Sequence, residues 1–367
     1  MTTTMKPEPA TAPAVPIENS LTAGRLPTAA PWVILGTAIA VSAAVFGVVA
    51  LAAGSGFNWG GALLVGALLY IPSIWLFSTL VEGRRRAMDR LVTALVTGAF
   101  VLAMIPLVSL TITVVTYGLS RFDAEFFTFS MRNVTGEGGG ALHAIVGTLL
   151  ITLAAAVISI PIGIFTAIYL IEYGAGKRLA RGITFLVDVM TGIPSIVAGL
   201  FAYALFALFF GPGIRMGIMG SIALSVLMIP VVVRSSEEML KLVPNELREA
   251  AYALGVPKWL TILKVVIPTS IAGIATGVTL AIARVIGETA PLLIIAGFTA
   301  SMNYDLFENR MMTLPVYVYT QYANPGTDVN AYLERAWAGA LTLILIVMAL
   351  NLIARLVARI FSPKLGR

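Results

Sequence analysis

Residues 244–268 read P-N-E-L-R-E-A-A-Y-A-L-G-V-P-K-W-L-T-I-L-K-V-V-I-P, a polar, amphipathic island between two long apolar runs. Pro244 suits a first helical position, where its missing N–H would have no partner anyway. Asn245 to Leu254 are good helix formers, and Gly255 with Pro257 predicts the stop. Leu247, Ala250, Ala251 and Leu254 recur at helical spacing and give one apolar face, with Glu246, Arg248 and Glu249 beside it. A short helix of this kind, carried on the loop of a membrane protein, is suited to a groove on a partner. The plainer reading of the same periodicity is an interfacial helix between two spans.

That the flanking runs belong in a membrane follows from composition. Of 367 residues, 58% are hydrophobic and 11% charged, and the mean hydropathy is +0.93. Soluble domains carry roughly a quarter charged residues, so the chain reads as an all-α, polytopic membrane protein. Cysteine is absent and His143 is the single histidine. This excludes a disulfide framework and thiolate chemistry and leaves little room for histidine-based catalysis. No Gly-Lys-Ser/Thr phosphate loop occurs, and the glycines at 138–140 lack that ending. Hydrolysis of ATP by this chain is therefore not expected, nor is a metal site. In such a chain the net charge of +6 reports basic loops, not nucleic-acid binding.

A span needs about 20 apolar residues. About eight candidates appear, at Trp32–Ala53, Trp59–Leu80, Leu91–Tyr117, Ala141–Ile171, Ile183–Phe210, Ile218–Val233, Ile267–Phe298 and Ala336–Ile360. Basic residues cluster at Arg84–Arg86 with Arg90, at Lys177, Arg178 and Arg181, from Arg234 to Lys264, and from Arg355 to Arg367. With eight spans these groups share one side, which the positive-inside rule makes cytoplasmic together with both termini and the 244–268 island. The Pro/Thr/Ala-rich residues 1–30 read as a disordered cytoplasmic tail. Residues 31–90 read as two additional spans and 91–362 as a six-span core with a cytoplasmic loop at 235–266.

Two loops fall on the outer side. Residues 118–140 hold Phe122, Phe126, Phe127 and Phe129, and residues 301–335 hold Tyr304, Phe307, Tyr317, Tyr319 and Tyr322. Such aromatics either anchor at the interface or receive an outer partner. Glu137 to Gly140 read as flexible linker, and His143 as an interfacial side chain.

An ionisable residue at bilayer depth is a functional candidate by default. The seventh span holds A-I-A-R-V-I-G-E-T-A-P, residues 281–291. Arg284 and Glu288 are four apart and able to pair on one helical face, with Gly277 and Ala281 leaving room beside the guanidinium. Gly287 and Pro291 weaken the helix there, and the freed backbone must face protein or water. The planar fork of arginine suits phosphate, sulfate or carboxylate oxygens. Two readings are open: a breakable pair on an anion path, with Thr289 beside it, or a bridge that only fixes helix packing. In the fifth span, Thr191-Gly192-Ile193-Pro194-Ser195 breaks the helix, and Ser195 with unpaired N–H groups suits an anion. The alternative is a plain kink. Asp188 and Arg234 are read as gating or interface residues, with interfacial snorkelling the plainer account of Arg234.

These blocks also carry a resemblance. Glu249-Ala250-Ala251, Gly255 and Val265-x-Ile267-Pro268 resemble the EAA loop of ABC-importer permeases, with Val and Ile where that pattern usually has Ile and Leu. The stretches M-L-K-L-V-P-x-x-L-R-E-A-A-Y-A-L-G-x-P-K-W and A-I-A-R-V-I-G-E-T-A-P-L-L resemble PstA-type permeases of bacterial phosphate importers. I-Y-L-I-E-Y-G at 168–174, P-S-I-V-A-G-L at 194–200 and A-W-A-G-A-L at 336–341 support it. The likeness runs from about Leu91 to Arg359, and family members usually lack the first two spans. It implies a six-helix type I ABC-importer core in the bacterial plasma membrane, a heterodimer with a PstC-type permease and two PstB-type ATPases that bind ATP and magnesium. A PstS-type phosphate-binding protein would dock outside. It implies that Asn245, Glu246, Arg248, Glu249, Ala250, Ala251 and Gly255 belong to the ATPase-coupling helix. Arg284 and Glu288 would be the charged pair of the phosphate path.

Overall fold

Every regular element among the described residues is helical. The computed structural model describes residue 24 and residues 26–361. The expected tail over 1–30 lies almost wholly outside them. Among the described residues, seven helices are long and apolar enough to cross a membrane, or eight if one sharply bent pair counts as a span. Contacts divide the chain into two units, Met1–Leu110 and Thr111–Arg367.

In the first unit, α1 (Ala30–Ala53) and α2 (Trp59–Glu82) form a hairpin. Lipid offers no hydrophobic drive between helices, so close approach at small residues does the work. A Cβ at Gly66 would lie 2.9 Å from the Ile39 Cα, and Ser42 Oγ donates to the Ala62 carbonyl at 2.8 Å. Asn58 caps α2 by accepting the Gly61 N–H at 2.9 Å. The buried Glu82 carboxylate accepts from Arg90 at 2.5 and 2.8 Å and from Ser78 at 2.7 Å. The long helix α3 (Arg84–Gly118) crosses from the first unit into the second.

The second unit is organised around α5 (Leu142–Ile168), which a π-helical turn extends over Tyr169–Tyr173, and α8 (Gly217–Lys241). The α5 stripe Ala144, Gly147, Ile151, Ala155, Ser159, Gly163, Ala167 is buried, at the helical period of three to four. Ser221 and Ser225 of α8 donate to the α5 carbonyls of Ile151 (3.1 Å) and Ala155 (3.4 Å). A Cβ at Gly163 would lie 2.6 Å from Val232. Each of these two hydroxyls also lies within reach of a carbonyl of its own helix, at 3.4 and 2.8 Å, whereas the buried Ser159 Oγ of the same stripe has no hydrogen-bond partner.

Two expected spans prove to be broken. The fifth is α6 (Arg178–Thr191) followed by α7 (Ser195–Phe210), and the axes turn through 109° at the break. Pro194 cannot donate to the helix and Gly192 ends it, so the sequence sets the break, and the fold makes it a corner where a plain kink was the plainer expectation. The seventh runs through a four-residue helix α10 (Lys258–Thr261), a π-helical turn (Ile262–Val266) and α11 (Ile267–Val285). It stops there, and a separate α12 (Ala290–Ile295) follows with Pro291 in its first turn.

At the end of the second unit where α5 and α8 begin lie a 3₁₀ turn (Leu119–Arg121), the short α4 (Ala124–Thr128), α13 (Leu314–Ala323) and the start of α14 (Val329–Phe361). The glycines after Glu137 are not a loose linker. Arg335, 1% exposed, donates to the carbonyls of Gly136 (2.6 Å) and Gly138 (3.0 Å) and to Gln321 Oε1 (3.1 Å). Arg121 donates to the Gly139 carbonyl at 3.0 Å, and Glu125 accepts the Gly139 N–H at 3.0 Å. Gly138 and Gly139 have φ of +84° and +68°, a region that side-chain-bearing residues avoid. A Cβ at Gly140 would lie 2.5–2.7 Å from three backbone oxygens. Glycine is required here by conformation and crowding, not by flexibility.

The aromatics divide. Phe126 and Tyr317 are fully buried and meet edge to face at 6.5 Å, while Phe129, Tyr304, Phe307, Tyr319 and Tyr322 stay exposed. Burial pushes the Tyr317 phenol well above its ordinary range. His143 is packed inside the protein, 2% exposed, its ring 5.7 Å from that of Tyr317.

Candidate functional site

Between α8 and α10 stands α9 (Asn245–Ala253). Pro244 flanks its start with ψ of 141°, one position earlier than expected for that proline. Gly255 ends it with φ of +75°, donating to the Tyr252 carbonyl at 2.9 Å, and Val256 donates to that of Ala251 at 3.1 Å. This is the glycine-terminated helix end that the Gly255 signal predicts.

The apolar face of α9 is not folded onto the chain. Leu254 is 83% exposed, Leu247 42% and Tyr252 41%, and Ala250 is exposed as well, whereas Ala251 is buried. Trp259 adds 61% exposure just beyond. Glu246 and Glu249 are exposed beside this face. An apolar ridge rimmed with carboxylates and left bare is the form of a helix that seats in a groove.

Arg248 behaves differently from its neighbours. Its guanidinium turns back into the chain, donating to Glu172 Oε1 at 2.8 and 3.1 Å and to the carbonyls of Val243 (2.6 Å) and Leu240 (3.0 Å). Asn245 Oδ1 lies 3.3 Å from it. Glu172 is 7% exposed, and its backbone carbonyl accepts from Lys258 Nζ. That ammonium also sits 5.0 Å over the Tyr173 ring. Glu172 and Lys258 were not singled out from sequence. The signal lay in the I-Y-L-I-E-Y-G stretch, an acidic residue closing a span, but its partner is 76 positions away.

Within the same unit, Arg234 of α8 pairs with Asp188 of α6 and, at 2.7 Å, with Glu237 of its own helix. The two residues read from sequence as gating or interface groups are thus brought together. Glu237 is the third member that sequence reading missed.

The Arg284–Glu288 pair is not formed. The helix ends at Val285, residues 286–287 turn, and the Glu288 N–H reaches the Val285 carbonyl at 3.1 Å. Glu288 therefore does not stand one helical turn above Arg284, and no ion pair joins them among the described residues. Gly277 and Ala281 do not make room for the guanidinium either. A Cβ at 277 would lie 2.4 Å from Ser235 Oγ, and Ala281 is buried, so this stripe packs α11 on α8. Arg284, two turns beyond Gly277, is exposed, and Glu288 and Thr289 are half-buried.

The two helix breaks are neighbours. Gly199 of α7 approaches Pro291 of α12 so closely that a Cβ would lie 2.7 Å from its Cα. The turn holding Ser195 thereby comes near the turn holding Glu288 and Thr289. The first amides of a helix lack intrahelical partners, and both α7 and α12 begin at these breaks. Thr289, Leu293, Pro315, Val318 and Tyr322 line a recess of about 530 Å³ between α12 and α13.

An all-helical membrane unit with two broken spans and one exposed amphipathic helix between spans is the architecture of a transporter's membrane subunit. Residues 159–367 match the family described as "Binding-protein-dependent transport system inner membrane component", and the chain belongs to that family. Its relatives include the phosphate transport system permease protein PstA of Mycobacterium leprae, 46% identical over 73% of this chain and 88% of the relative. PstA of Yersinia pestis is 38% identical over 78% of this chain and 96% of that protein. Among solved structures, the inward-facing MetNI methionine ABC transporter aligns with a TM-score of 0.50 at 19% identity, over 60% of this chain and 96% of that one. A bacterial ABC transporter that imports alginate gives 0.50 at 14% identity, over 75% and 97%. These two likenesses concern the fold alone. The chain is a multi-span permease subunit, a non-catalytic membrane component of an ABC transporter.

Proposed function

We propose that this chain forms half of the translocation pathway of an ATP-driven importer of inorganic phosphate. The observation that carries the reading is the bare apolar ridge of α9, in a chain 46% identical to a phosphate permease. Leu247, Ala250 and Leu254 seat in a groove of a PstB-type ATPase, and Glu246 and Glu249 ring the contact. Gly255 sets the angle at which the chain leaves it. A PstC-type permease completes the pathway, and a PstS-type protein delivers phosphate from outside. The termini and α9 face the cytoplasm, as the basic clusters indicate. Residues 91–362 are the permease core, and residues 31–90 are an addition to it.

Arg284 is the anion-stabilising charge. Because no carboxylate pairs with it among the described residues, its field is available to a passing oxyanion. Ser195 and Thr289, at the adjoining breaks, supply hydroxyl donors, and Glu288 accepts the proton-bearing edge of the phosphate. Closure of the ATPases moves α9 and rocks the broken spans between outward- and inward-open states. The Arg234–Asp188 pair joins α8 to α6 in one of those states and opens in the other.

The test is uptake of labelled phosphate into vesicles holding the whole complex, with and without ATP and the binding protein. Uptake that requires both, and that excess sulfate leaves intact, supports the reading. Sulfate competition at equal concentration refutes the phosphate assignment, and uptake without ATP refutes the coupling.

A further inference from the structure

α9 has two sides, and the inner one is tied to a helix distant in sequence. Arg248 carries the tie, bonding the buried Glu172 carboxylate through both Nε and Nη2. Lys258, on the other flank of α9, bonds the backbone carbonyl of the same Glu172 and covers the Tyr173 ring. Both ties end on the π-helical turn that closes α5. Such turns are uncommon and gather at functional positions. A second π-helical turn, Ile262–Val266, follows Lys258 on the opposite flank. Push on α9 therefore reaches α5 by a route independent of the covalent chain through α8.

The pairing is selective. Glu246 and Glu249, on the exposed side of the same helix, are solvent-facing, whereas Glu172 is buried and matched with a fork of charge-assisted bonds. Removing one partner from such a buried pair strands the other charge, so separating the two is costly. α5 in turn is locked to α8 along the small-residue stripe and the two serine bonds.

We propose that Glu172 and Arg248, with Lys258, are positioning residues that form a mechanical joint carrying the movement of α9 into α5, and that Arg248 serves the transporter's own chain and not the ATPase surface. This rests on the importer reading above. In it, loss of the joint leaves ATPase docking and ATP turnover in place but separates them from transport.

The chain's lack of cysteine allows a switchable test. Glu172→Cys and Arg248→Cys are introduced together into the full complex, after replacement of any reactive cysteine in the other subunits. Phosphate uptake per ATP hydrolysed is then read before and after joining the two thiols with a short, reducible bis-thiosulfonate spacer. The expected result is a loss of about tenfold in uptake per ATP in the unlinked variant, the scale set by coupling between contacting residues. Linking restores it to within about threefold of wild type, and reductant abolishes it again. A merely structural role would not reverse in the same molecules. Glu172→Gln, which keeps shape without charge, is expected to lose coupling with ATPase co-purification unchanged. Normal coupling in the unlinked pair or in Glu172→Gln overturns the proposal, as does a spacer that forms without effect. A wild-type complex with no ATP-dependent uptake overturns the importer reading itself.

Discussion

Replacing Leu254 with serine isolates the docking role of α9 from its folding. The side chain is 83% exposed, so the permease alone loses almost nothing by the change. In a groove the same leucine leaves water, and full burial of a leucine contributes about 1.5–3 kcal/mol. Scaled to the fraction still exposed, this is about 2 kcal/mol of docking free energy, or roughly a 25-fold weaker grip on the ATPase. The assay is titration of purified ATPase onto the detergent-solubilised permease pair, with thermal stability of the permease as control. The expected result is that affinity shift with an unchanged melting temperature. An unchanged affinity would show that the ridge faces lipid or solvent in the complex. A large fall in melting temperature would show that Leu254 packs within the permease. Either result refutes the argument from exposure.

Arg284→Ala is expected to lower phosphate uptake by roughly 10- to 150-fold, the cost of removing a charge-assisted oxyanion contact, while the subunits still co-purify; uptake at wild-type rate excludes Arg284 from the path. Glu249→Arg places a cation on the acidic rim of α9, and the complex should assemble but hydrolyse ATP without transport, measured as phosphate moved per ATP. Gly255→Val must hold φ near +75°, a strain of about 1–2 kcal/mol, and should reduce recovery of ATPase with the permease in a pull-down. Gly163→Leu drives a side chain into Val232 across α5 and α8 and should lower the melting temperature of the permease by several degrees, in proportion to an overpacking cost of about 1–3 kcal/mol.

Several features were readable because their causes are local. The apolar lengths place α1, α2 and α5 close to their final bounds, since a span has to satisfy its backbone within itself, whereas α3, α8 and α14 run on past the apolar stretch at one end, from Arg84, to Lys241 and from Val329. The α9 helix and its stop at Gly255 follow from capping chemistry within ten residues. Gly192 and Pro194 mark the site of a break, though not its 109° turn, which depends on α12 packing against α7.

What the linear pattern determined by itself is the membrane class, the span lengths, the position of the breaks and the presence of an exposed amphipathic helix. Each is set by hydropathy, backbone stereochemistry or capping, and these act over one or two helical turns. Only the tertiary structure decided which charges meet. Arg284 and Glu288, four apart, miss each other because the helix ends between them. Arg248 and Glu172, 76 apart, meet because the chain brings α9 back to the π-helical turn at the end of α5. Spacing within a helix prescribes a pair only while the helix lasts, and pairing between distant segments depends on where packing of small residues brings their backbones. The glycines at 138–140 teach the same lesson, because a loose linker and a loop clasped by Arg335 and Arg121 are written with the same residues.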